Sequence, residues 1–208
     1  MEMMNSVPTW LTVVGSLYVA IAVASAAFVA FDIFGRGNRQ ASMAMDVVWP
    51  ASALYLGPLA VWMYGRWGRR THAPALAAQG LAGGAASTLA HLVGVPLVIS
   101  SGLTIAGIDL WVMILVIAVL ATALLAVFER AGGHRFVPAA AVALVTVLAF
   151  DVGMGGWMLL LHFSENMPAA TTAAFWFLMQ LGVVLGTLTA LPVIRLLAAR
   201  STETVATG

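Results

Sequence analysis

Asp151, His91, Gln180 and Asp46 are the residues whose types and spacing suggest chemistry. Each interrupts an apolar stretch. Asp151 stands inside VLAFDVGMGGWMLLLHF, residues 147–163. An ionisable group at bilayer depth costs roughly 2.5–3.5 kcal/mol or more, so it marks a functional site by default. A carboxylate beside an imidazole takes up a proton or a hard cation. The same groups serve equally as a neutral hydrogen-bonded network between helices. Such bonds contribute only about 0.6 kcal/mol on average in membranes, a modest reason to keep a carboxyl.

A softer chemistry is also written in the chain. Met43 and Met45 form a Met-x-Met beside Asp46, and thioethers suit copper(I). There is no cysteine, which excludes disulfides and thiolate metal sites. No phosphate-binding loop, Gly-x-Ser-x-Gly elbow or His-Glu-x-x-His motif is present. No cofactor is therefore evident, and an enzyme is not the expectation. The formal net charge of +1 makes no electrostatic case for nucleic acid.

The elements that hold these residues follow from composition. Hydrophobic residues make up 62% and charged residues 8%, against about 25% charged in a soluble domain. A globule so poor in charge cannot cover its own surface, so the partner is a lipid bilayer. The expected fold is all-α, a polytopic membrane bundle of about six helices. A span needs about 20 apolar residues. Six segments qualify: Pro8 to Phe34, Ala41 to Tyr64, Pro74 to Ile99, Ile105 to Phe128, Val137 to Leu161 and Thr171 to Leu197. Residues 1–200 read as one transmembrane domain and 201–208 as a flexible polar tail. The first segment lacks the basic flank of a signal peptide and reads as a retained helix.

Depth can be counted from a rise of 1.5 Å per residue. Asp151, His91 and Gln180 each fall about eight to ten residues inside one surface, or roughly 12–15 Å deep. They form a candidate proton or ion layer, with Asp46 above it. Asp32, Asp109, His162 and Glu165 fall on the same rim.

Six crossings put both termini on one side. Arg66, Arg69, Arg70, Arg130, Arg135, Arg195 and Arg200 share that side, and only Arg36 and Arg39 oppose them. The excess of arginine predicts a cytoplasmic location for both termini, in an inner (plasma) membrane. Trp10, Trp49, Trp67, Trp111 and Trp176 fall near helix ends, as an aromatic belt requires. Gly80 with Gly84, and Gly182 with Gly186, have the small-xxx-small spacing that lets helices approach. A homo-oligomer or a membrane partner would use the same feature.

Two stretches carry a resemblance. Residues 43–69, MAMDVVWPASALYLGPLAVWMYGRWGR, and residues 150–163 with 175–193, FDVGMGGWMLLLHF and FWFLMQLGVVLGTLTALPV, resemble a prokaryotic membrane family, domain of unknown function 4396. The resemblance implies a multipass fold and an acidic residue at the position of Asp151. It also implies a His-Cys-rich motif opening the third helix. Here that motif reads AGGAASTLAH, with Ala82, Gly83, Ser87 and His91 at the ligand positions. Soft-metal or redox chemistry is therefore not implied for this chain.

The functional expectation is a membrane protein with a polar intramembrane site for proton or small-cation transport or sensing. The alternatives are a non-catalytic scaffold or partner subunit, and copper handling.

Overall fold

A computed structural model of the chain describes residues 8–40, 42–70, 75–131 and 136–206. It is all helical. α1 spans Thr9–Ala30 and ends in a wide π turn, Phe31–Gly35. α2 (Met43–Leu56), α3 (Pro58–Trp67), α4 (Ala75–Ser101), α5 (Asp109–Ala131), α6 (Phe136–Phe163) and α7 (Ala173–Ala206) follow. Among the described residues, stretches of five helices are long and apolar enough to cross a membrane: Thr9–Gly35, Gly80–Ser101, Asp109–Ala131, Val137–Phe163 and Ala173–Leu197. The chain is a multi-pass membrane helix bundle.

The second expected helix is the exception. It breaks at Gly57, whose φ of 56° and ψ of −132° lie outside the helical region. Glycine adopts positive φ without steric cost. Pro58 then occupies the first position of α3, where its missing N–H is no loss. The two short arms fold back on each other. Trp49, eight residues before the break, stacks edge-on against Tyr64, seven residues after it, with ring centroids 5.6 Å apart. Trp49 is buried in this hairpin rather than placed in an interfacial belt. Pro50, Pro96 and Pro192, by contrast, are carried inside continuous helices.

Contacts fix the helix directions. Gly15 meets the backbone of Ala173 and Ala174, and the Tyr18 and Phe177 rings lie 5.2 Å apart. α1 and α7 therefore run parallel. Gly182 faces Met154 and Trp157, while Gly186 faces Phe150, so α6 runs antiparallel to α7. Gly80 faces Leu191, whereas His91 and Gln180 share a cavity, so α4 is also antiparallel to α7. α5 runs antiparallel to α6, with Leu125 and Glu129 beside Val142 and Thr146.

Five crossings and one hairpin change the topology expected from sequence. The start of α1 and the end of α7 lie at opposite ends of the bundle, not at the same end. The hairpin enters and leaves at the end where α1 finishes. Arg36 and Arg39 thereby join Arg66, Arg69, Arg70, Arg130, Arg195 and Arg200 at one end. Arg135 lies outside the described residues. Asp109, His162 and Glu165 lie at the opposite end, where α5 begins and α6 finishes. Asp32 does not join them; it sits at the arginine-rich end.

Candidate functional site

α1 and α4 each pack on α2 and α7. Between them lies a cavity of about 90 Å³, lined by Val19, Val23, Leu54, Thr88, His91, Leu92, Trp176, Met179, Gln180 and Val183. One buried water needs only about 10–15 Å³ of such space, so several small molecules fit. A drug-sized ligand, which requires about 300 Å³ or more, does not. Val23 and Leu92, 54% and 44% exposed, edge the cavity towards the bilayer. Leu54, three residues before the hairpin break, closes it on the side of the arginine-rich end.

His91 is 3% exposed. Its Nδ1 lies 2.8 Å from the Ser87 carbonyl oxygen, one turn back on α4. A carbonyl only accepts, so Nδ1 carries the proton and donates. The neutral ring is then held in the tautomer whose Nε2 bears a lone pair. That Nε2 is buried with no hydrogen-bond partner among the described residues, and the same holds for Gln180 Oε1. Thr88 donates to the Gly84 carbonyl at 2.9 Å, which leaves its oxygen able to accept. A buried acceptor without a donor costs about 1–3 kcal/mol. Two such acceptors on one small cavity ask for a donor: a proton on His91 shared towards Gln180, or a small donating cation.

The other two members of the sequence-derived set go elsewhere. Asp46 sits at the arginine-rich end, where it accepts from Arg39 Nη1 at 2.9 Å and from the Gln40 backbone N–H at 2.8 Å. It ties Arg39 and Gln40 to α2 and is not among the residues that line the cavity. The count from sequence failed here because α2 does not cross. Asp151 is half-buried and lies on a different face of α6. Phe150, Gly153 and Met154 face α7, whereas Leu144, Val147 and Leu148 line a groove against α5. Asp151 follows these three at helical spacing, so it belongs to the α5 side. No hydrogen bond to it is found among the described residues.

Met43 is 82% exposed at the start of α2, well removed from His91 along the hairpin arm, and Met45 is half-buried. The Met43, Met45 and His91 set is not assembled at one point. No group of three or more His, Cys, Asp or Glu suited to a metal is found among the described residues. His72 and His134 lie outside those residues.

The glycine positions differ in what they touch. A Cβ on Gly186 would fall 2.7 Å from the Phe150 ring, and one on Gly153 would fall 2.7 Å from the Leu185 carbonyl oxygen. Gly182 abuts Met154 and Trp157, and Gly84 abuts the Tyr55 ring. Gly80 has looser surroundings, with Leu191 at 3.8 Å, and Gly155 and Gly156 face open space.

Asp32 is the group that depth counting misplaced. It is 1% exposed. Tyr64 Oη donates to it at 2.8 Å, Arg69 Nη2 at 2.8 Å, Arg69 Nε at 3.1 Å and Asn38 Nδ2 at 3.1 Å. Arg36 is more distant at 3.5 Å. The Asp32 carboxylate pushes the Arg69 guanidinium above its ordinary value by hydrogen bonding and charge, so that cation persists at any physiological pH. The wide turn at Phe31–Gly35 carries Asp32, and such π turns recur at functional positions. The arginine pair Arg36 and Arg39, discordant in a six-helix topology, was the sequence signal for this arrangement.

The sequence model of a family described as domain of unknown function 4396 matches residues 74–202, which is α4 through most of α7. No curated protein and no solved structure matches the chain.

Proposed function

The chain belongs to the family described as domain of unknown function 4396, and from that premise we propose that its mid-membrane site, centred on His91 and Gln180, takes up a proton or small cation for transport or sensing. The observation that supports this reading is the pair of buried acceptors on one small cavity. Protonation of His91 Nε2 turns an acceptor into a donor, and Gln180 Oε1 is then its natural mate. Among the described residues no carboxylate lines the cavity, so a permanent divalent ion would lack counter-charge there. A proton carried by the imidazole itself avoids that difficulty. Arginine excess supports a cytoplasmic location for the end that holds Arg66, Arg69 and Arg130. On this reading the membrane is a plasma membrane, with the C-terminal end of α7 inside.

The test is flux in proteoliposomes across several monovalent cations and external pH values. The reading expects flux that rises with a proton gradient and is lost in Gln180→Leu. Equal leak in empty and loaded vesicles under every ion would sink it.

A second reading, a membrane partner subunit, is favoured by Asp151. A half-buried carboxyl without a mate among the described residues, beside the α5–α6 groove, is what a neighbouring helix would satisfy.

A further inference from the structure

We propose that the α2–α3 hairpin is the inner gate of the His91–Gln180 cavity and that Asp32 is the positioning residue that latches it. The inference rests on the reading of that cavity as a site. Its first support is the break. A helix interrupted at mid-membrane depth leaves backbone groups that are tolerated only against protein or a cavity. Here the tip does both. Leu54 lines the cavity. The Tyr55 carbonyl receives the Tyr18 hydroxyl at 2.6 Å. Ser52 donates to the Leu81 carbonyl at 3.5 Å. The hairpin therefore stands between the cavity and the arginine-rich end, while Trp176 lines the cavity within one turn of the start of α7.

The second support is how the hairpin is held. α3 packs on α1 and on its own partner arm α2. Its polar ties are concentrated at one point, where Tyr64 and Arg69 both donate to Asp32. The other arm is tied at the same end, through Asp46 to Arg39 and Gln40. The far end turns on Gly57, where a Cβ would meet nothing within 4 Å. An element whose ion pairs, Asp32–Arg69 and Asp46–Arg39, both lie at its base and whose arms are jointed at a glycine is a two-state device: latch closed, tip under the cavity; latch open, tip free to withdraw.

The chain has no cysteine, so one introduced thiol is a clean reporter. Met179→Cys places it in the cavity wall. Vesicles are treated with a membrane-impermeant methanethiosulfonate from the arginine-rich face or from the opposite face. The gate predicts slow modification from the arginine-rich face in the otherwise unaltered chain. It predicts a rate roughly tenfold or more higher in Asp32→Asn, with a smaller rise in Arg69→Lys, which keeps charge but loses the bidentate grip. Rates from the opposite face should stay unchanged, which separates opening from unfolding. If Asp32→Asn fails to fold, Arg69→Lys and Tyr64→Phe decide. Folded latch variants that label at the starting rate from the arginine-rich face overturn the proposal. The readout is accessibility and needs no flux, so the gate and the proton site fail separately.

Discussion

Asp32 and His91 are almost equally hidden, and their surroundings treat them in opposite ways. Asp32 has a guanidinium, a phenol and an amide aimed at its two oxygens. His91 has Nδ1 tied to its own helix, while its Nε2 and the Oε1 of Gln180 on the same cavity have no mate among the described residues. Both arrangements carry the cost of burial, but only the first recovers it within the fold. A saturated group is there to hold the structure. An unsaturated pair on a cavity is there for something that comes and goes.

The largest effect that tests this contrast is at Asp32. Asp32→Ala leaves Tyr64 without its acceptor and Arg69, 44% exposed, without its partner, a loss of charge-assisted hydrogen bonds that costs roughly 1.5–3 kcal/mol. A melt in detergent should show a large fall in the midpoint. An unchanged melt would mean that the network is decorative. Next comes Gly153→Ala, which drives a methyl against the Leu185 backbone and should cost about 1–3 kcal/mol. Gly156→Ala faces open space and should be neutral or stabilising by up to about 1 kcal/mol. Paired melts of the two variants read the closeness of α6 and α7 directly.

Gln180→Leu sharpens the contrast from the other side. It removes an unmated buried acceptor at similar volume, so stability should hold or rise by about 1 kcal/mol. A marked loss of stability would show that Gln180 is structurally satisfied after all. The smallest effect is expected at Asp151. Without a hydrogen-bond partner among the described residues, Asp151→Asn should shift the melt by less than about 0.5 kcal/mol. It should also leave flux intact, because Asp151 does not line the cavity. A change in oligomeric size on that substitution would favour the partner-subunit reading.

Much of this architecture was legible before any coordinates. Long apolar runs announced α1 and α4 to α7, because only a bilayer accepts such surfaces. The depths of His91 and Gln180 followed from helical rise, and both residues line one cavity. Rise along a helix says nothing of the direction in which a side chain points. Asp151 misses their level as well: Phe150 packs on Gly186 and Gly153 on Leu185, which sets Asp151 more than one turn of α7 from Gln180, and it turns towards α5. The hairpin was hidden for a different reason. Hydropathy sees an unbroken apolar stretch through LYLGPLAV, whereas the Gly57-Pro58 pair is a backbone signal. Missing it inverted the parity of every later crossing, placed Asp46 above the cavity and set Asp32 on the wrong rim. Arg36 and Arg39 registered the error as a charge imbalance.

The central claim is that His91 and Gln180 work on a proton rather than hold helices together. Its most direct test compares proton flux and melting midpoint for His91→Ala and for the unaltered chain in the same proteoliposome preparation. The account predicts flux reduced roughly a hundredfold, the scale of losing a positioned proton acceptor, with little change in the melt. Undiminished flux, or a loss of flux that merely follows a loss of fold, would contradict it.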